Sequence, residues 1–161
     1  MPAITPCLWF DTQAEEAAEF YISVFGKGKI LGIERYGEGS PSGLPAGSVM
    51  TVSFELDGQR FTGLNGGPMF TFSEAISFEI PCVDQAEVDH YWFALSEGGD
   101  EGPCGWLKDK FGLSWQVVPN RLMELMHDPD REKAQRAVDA MMKMKKIDVA
   151  ELERAAAAGA P

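Results

Sequence analysis

An α+β fold built from two copies of one strand–helix–strands unit, followed by a helical tail, is what this chain of 161 residues predicts. Three observations carry the prediction. Two strand-like runs, Ile4 to Phe10 and Ile76 to Cys82, each lead into a helix start and then an apolar stripe at helical spacing. A shift of 72 positions carries Ile4 onto Ile76, Thr12 onto Asp84, Glu15 onto Glu87, Tyr21 onto Phe93 and Gly26 onto Gly98. Each copy also closes in a hairpin with a glycine between its strands, Gly58 in the first and Gly112 in the second. A helix over one face of an antiparallel sheet leaves the other face free, and two such faces can enclose a ligand cavity.

Taken in order, ITPCLWF should be a strand whose alternation turns Ile4, Pro6, Leu8 and Phe10 toward the helix and leaves Thr5, Cys7 and Trp9 for the cavity. Thr12 to Glu15 has the S/T-x-x-E pattern in which hydroxyl and acid satisfy backbone donors at a helix start. Ala14, Ala17, Ala18, Tyr21 and Phe25 form the buried stripe, and Gly26 and Gly28 supply a left-handed stop. Ile30 to Tyr36 and Val49 to Leu56 read as strands around the loop GEGSPSGLPAG, and Asp57-Gly58 turns the chain into a strand from Arg60 to Leu64.

In the second copy Ile76, Phe78 and Ile80 should pack under the helix, leaving Ser77 and Glu79 on the cavity side. Asp84 and Glu87 repeat the cap, Val88, Tyr91, Trp92 and Leu95 the stripe, and Gly98-Gly99 the stop. Cys104 to Pro119, CGWLKDKFGLSWQVVP, reads as two strands and a tight turn forming one cavity wall, with Gln116 and Val118 opposite in sense to Trp115. The expected organisation is one domain made of a first module at 1–68, a second at 69–120 and a helical tail at 121–161. In the tail, Asp128-Pro129 starts a helix with Ala134, Ala137, Val138, Met141 and Met144 as its stripe, Asp148 and Glu151 begin a last short one, and AAAAGAP should fray. The Met-rich face of DAMMKMKK suits core or dimer contact better than a ligand box.

Composition narrows the function. A net charge of −11 repels phosphate backbones and anionic lipid, which argues against nucleic acid and membrane partners. There is no run of 18 apolar residues and no leader-like N-terminus, so a cytoplasmic location is expected. Cys7, Cys82 and Cys104 are odd in number and lack CxxC spacing, which reads as buried free thiols rather than a disulfide framework or zinc site.

The segments ITPCLWFD, AEEAAEFYISVFG, DGQRFTGLNGGP, AISFEIPC, CGWLKDKFGLSWQVVP and MKMKKIDVAELERA together resemble the PhnB-like family, often labelled 3-demethylubiquinone-9 3-methyltransferase, of the vicinal oxygen chelate superfamily. That superfamily includes glyoxalase I, extradiol (dihydroxybiphenyl-type) dioxygenases and bleomycin resistance proteins. The resemblance implies paired βαβββ modules, a homodimer, and a small-molecule cavity. In metal-dependent members a His begins the first strand of each module and a Glu lies on the last. Here the His positions hold Thr5 and Ser77 and the Glu positions Thr62 and Gln116. Three hydroxyls and an amide cannot offset the dehydration of a transition ion, so no metal and no other cofactor is expected. His90 and His127 lie on the second helix's polar side and in the tail, where surface or capping roles fit them.

The cavity-binding candidates are Thr5, Cys7, Trp9, Thr62, Asn65, Ser77, Glu79, Trp106 and Gln116. Glu79 is the candidate catalytic group, since a partly buried acid would have a raised pKa; the competing reading is a solvated rim carboxylate. Cys7 has no neighbouring base to make its thiolate. Trp9 and Trp106 could stack on a flat ligand or simply fill the core. Asn65 could donate to a ligand, or LNGGP could be only a connector. Three functions follow: a metal-free small-molecule pocket with unknown reaction, the methyltransferase of the family label, or a non-catalytic binder similar to bleomycin resistance proteins. The glycines of GKGKILG run from a helix into a strand, the reverse of an S-adenosylmethionine loop in a doubly wound fold.

Overall fold

The computed structural model describes residues 2–159. The chain divides into two compact units, 1–72 and 73–161.

The first unit runs β1 (Cys7–Phe10), α1 (Ala14–Phe25), β2 (Gly28–Arg35), β3 (Val49–Leu56) and β4 (Gln59–Asn65). Its sheet has the order β1-β4-β3-β2, with β1 parallel to β4 and the other pairs antiparallel. Asp57 and Gly58, both with positive φ (44° and 88°), make the primed turn that joins β3 to β4. Ala14, Ala17, Ala18 and Tyr21 of α1 are fully buried against Leu8, Phe10, Val52, Phe54 and Phe61. Small residues set the close approach: a Cβ on Gly63 would lie 3.2 Å from that of Ala14. The rings of Phe54 and Phe61 stack with centroids 5.3 Å apart beneath the helix.

The second unit repeats the path as β5 (Phe78–Cys82), α2 (Gln85–Ser96), β6 (Asp100–Glu101), β7 (Trp106–Lys108) and β8 (Ser114–Pro119). Its sheet order β5-β8-β7-β6, with β5 parallel to β8, is that of the first unit. Ile80, Val88, Trp92, Leu95, Leu107, Trp115 and Val117 are buried between α2 and the sheet. The cap read from Asp84 and Glu87 is present: Asp84 accepts from the Glu87 N–H at 2.9 Å, and Glu87 accepts from the Val83 N–H at 2.8 Å.

The tail folds as α3 (Asn120–Met126), α4 (Arg131–Met141) and α5 (Val149–Ala157). Asp130 caps α4 and Asp148 caps α5 through their carboxylates. Leu122, Leu125, Ala137, Ile147, Leu152 and Ala156 form the tail core, and Met141 and Met144 pack against it, so the Met-rich face fills internal space. The tail is tied to the module by Cys104 N–H to Met144 C=O and Gly105 N–H to Lys145 C=O, both 2.8 Å. The stretch expected to fray is helical as far as Ala157, and Ala160 and Pro161 lie outside the described residues.

Four expectations are corrected. Strands β1 and β5 start later than their sequence runs, and Ile4 (88% exposed) and Ile76 (70%) do not pack under their helices. Thr12 does not cap α1, whose N-cap residue Gln13 makes no side-chain cap bond; Asn65 serves that end instead. Of the cysteines, Cys82 is buried while Cys7 is exposed and Cys104 half-buried, because β1 turns Cys7 to the side away from α1. Burial, aided by the charges of Glu87 and Asp84, pushes the Cys82 thiol up to about 12.

Candidate functional site

Strand alternation places Ser53 on β3 and Arg60 and Thr62 on β4 away from α1, since Val52, Phe54 and Phe61 point under the helix. Thr62 pairs with Ser53 on one side and with Cys7 on the other. A bulge at Ile30–Gly32 brings Gly32, without a side chain, opposite Ser53. The outcome is a hollow of about 620 Å³ on the helix-free face, lined by Thr5, Leu31, Gly32, Ser53, Arg60 and Thr62 with Phe61. Its walls offer three hydroxyls and one guanidinium. Glu55 stands across the ladder from Arg60, yet no ion pair joins Arg60 to a carboxylate among the described residues.

The equivalent face of the second unit carries Glu79 and Gln116, which are ladder partners, with Trp106 beside Gln116. The Gln116 Nε2 donates to Ser77 Oγ at 2.8 Å. Glu79 is exposed rather than partly buried. Each unit therefore gathers its own pair, Thr5 with Thr62 and Ser77 with Gln116, the four positions that the resemblance assigned to imidazole and carboxylate. This donor set does not fit a transition ion, being neutral, with the Gln116 amide committed as donor to Ser77. Among the described residues no three His, Cys, Asp or Glu side chains gather at metal-binding range.

Other candidates have different surroundings. Trp9 is half-buried, donates its Nε1–H to the Gly67 carbonyl at 2.9 Å and packs edge-on against Phe70. A Cβ on Gly66 would come within 2.3 Å of its ring, so this glycine is what lets the LNGGP segment lie over the indole. Asn65 is buried on the α1 side of the sheet, not on the open face, and both ends of its amide are bonded within the unit. Desolvation raises the Cys7 thiol pKa, the opposite of what an activated nucleophile needs. His90 and His127 are exposed, and the His127 ring meets the Met123 carbonyl at the end of α3.

Sequence reasoning missed Ser53 and Arg60. Arg60 was within reach, two residues before Thr62 on the same strand and thus on the same face. Ser53 was not, because its place depends on the β3–β4 register and the β2 bulge.

Two four-stranded sheets of identical order, each with one helix across one face, define the class: an α+β protein of two βαβββ modules. The 3-demethylubiquinone-9 3-methyltransferase family model matches residues 2–118, and the chain belongs to this PhnB-like family. A PhnB protein from Bacillus cereus, whose description carries the same methyltransferase name, is 34% identical with a TM-score of 0.64, over 73% of this chain and 99% of that one. A protein from Pseudomonas aeruginosa is 22% identical with a TM-score of 0.61, over 74% and 98% of the two chains. The fosfomycin resistance protein FosX from Mesorhizobium loti shares the fold at 14% identity and a TM-score of 0.51, over 73% and 90%. No curated protein matches the chain.

Proposed function

We propose that this protein binds a small anionic organic molecule on the helix-free face of its first module, through hydrogen bonds and one guanidinium and without a metal. The observation carrying this reading is the 620 Å³ hollow in which Arg60, free of any ion pair among the described residues, stands with Thr5, Ser53 and Thr62. A guanidinium with neighbouring hydroxyls suits a carboxylate or phosphate. On the second module, Gln116 and Glu79 offer further polar contacts, and Glu79 is the carboxylate that any proton transfer there would use.

Thermal-shift titration tests the reading with benzoate and phenyl phosphate as probes. Either should raise the melting temperature, and Arg60→Ala should weaken binding about tenfold or more, the loss of a charge-assisted bond. Equal binding by the variant overturns it. Stabilisation by nickel, zinc or iron, reversed by chelator, would overturn its metal-free part. The methyl transfer in the family name would show as stabilisation by S-adenosylmethionine. The fold gives that molecule no doubly wound parallel sheet, and the Gly26–Gly32 stretch runs from α1 into β2. Stabilisation by bleomycin would point to a sequestering role.

The same reading includes a homodimer in the cytoplasm. Among the described residues no helix is long and apolar enough to cross a membrane. Strand β2 is a sheet edge exposing Leu31 and Ile33, a surface that a second copy would cover. Light scattering should give about twice the 17.6 kDa chain mass; the chain mass itself would exclude the dimer.

A further inference from the structure

The hollow on the first module is bordered by a row of alternating charge. Lys29 of β2 is the ladder partner of Glu55 on β3, and Glu55 that of Arg60 on β4, so the three side chains lie side by side across three strands. Their face is the helix-free one. Phe54 and Leu56, on either side of Glu55, are buried, and a Cβ on Gly28, next to Lys29, would meet Ile22 of α1 at 3.2 Å. Arg60 lines the hollow itself, and Glu55 follows the lining residue Ser53 two positions along the same face, which puts its carboxylate at the rim.

Opposite charges on neighbouring strands attract, yet none of these three side chains enters an ion pair among the described residues. Each keeps its capacity for a ligand. Strands stand about 4.8 Å apart, so the sheet presents plus, minus and plus at regular spacing. A plain carboxylate on Arg60 would face the Glu55 carboxylate next to it and be repelled. An ammonium beside that carboxylate turns the repulsion into attraction, and a second carboxylate beyond it meets Lys29. One row further into the hollow, Ser53 and Thr62 add hydroxyls, and Leu31, 40% exposed, adds apolar surface for a short methylene chain.

We propose that this face binds an acidic α-amino acid, with one carboxylate on Arg60, Ser53 and Thr62, the ammonium on Glu55 and the second carboxylate on Lys29. The inference rests on the Arg60 reading and deepens it, from an anion in general to an amino dicarboxylate whose net charge is still negative.

NMR titration of the isotope-labelled full chain with L-glutamate tests it. Glutarate, which lacks the ammonium, and L-norvaline, which lacks the second carboxylate, are the comparisons. Glutamate should move the amide signals of Ser53, Arg60 and Thr62 and bind more tightly than either. Glu55→Gln should weaken glutamate about two- to fivefold, the worth of one partly exposed charge pair, and leave glutarate as tight or tighter. Lys29→Gln should weaken glutamate by a similar factor and leave norvaline unchanged. A variant that had merely disturbed the sheet would weaken all three ligands together. Glutarate binding as tightly as glutamate, or equal glutamate binding by Glu55→Gln, would overturn the inference; if Arg60→Ala still weakened both ligands, the Arg60 reading would stand. Glutamate and glutarate binding to Arg60→Ala as they do to the parent would overturn both. No shift with glutamate would overturn the inference, and benzoate would then report on the Arg60 reading alone.

Discussion

Replacing Asp109 by alanine should lower the unfolding free energy by about 3 to 5 kcal/mol, among the largest losses a single substitution can cause in this chain. Asp109 is 2% exposed and sits in the turn between β7 and β8. One oxygen accepts from the N–H groups of Phe111 at 2.8 Å and Leu113 at 3.1 Å, and the other accepts from Trp115 Nε1 at 2.9 Å. The carboxylate thus shapes the turn and anchors the ring that fills the space beneath α2. Alanine would leave the buried indole N–H without an acceptor and free the turn that sets the hairpin register. Asp109→Asn should cost less, about half as much, because its carbonyl can still serve the two backbone donors while its NH2 faces the indole N–H. Urea unfolding followed by far-UV circular dichroism reads both. A loss under about 1 kcal/mol for Asp109→Ala would show that the turn holds its shape without this residue.

Periodicity made most of the architecture legible. The duplicated path, the Asp57-Gly58 turn, the Asp84–Glu87 cap and the inward Trp115 all followed from spacing, because local patterns record which side of an element meets the core. What local patterns could not record was distance along the chain. The hollow on the first module depends on Ser53 meeting Thr62 across a ladder, and the row of charge at its rim on Lys29 and Arg60 both meeting Glu55. Ile4 and Ile76 misled for the same reason: alternation extends a strand on paper, whereas pairing with β4 and β8 begins only at Cys7 and Phe78. The exposure of Glu79 agrees with the solvated rim carboxylate that its strand position offered against a partly buried acid, as expected where buried Glu is rare.

Asn65→Ala should cost about 2 to 4 kcal/mol, and the comparison with Thr12→Ala decides which residue caps α1. Asn65 lies 51 positions from the helix start, yet its Oδ1 accepts from the Ala14 N–H at 2.8 Å. Its Nδ2 donates to the Val49 carbonyl at 3.1 Å, which ties the end of β4 to the start of β3. The side chain therefore joins three elements, and its own carbonyl receives the Tyr36 hydroxyl at 2.5 Å. Alanine would orphan the N–H of Ala14, a residue with no solvent exposure, so water could not replace the lost acceptor. Asn65→Asp should recover part of the loss, since it keeps the acceptor and puts negative charge at a helix N-terminus, while giving up the donor to Val49. Thr12 is exposed and makes no cap bond, so Thr12→Ala should change stability by less than about 0.5 kcal/mol. Denaturation midpoints in the reverse order, with Thr12→Ala the more damaging, would return the cap to the S/T-x-x-E pattern and leave the amide of Asn65 available for a ligand.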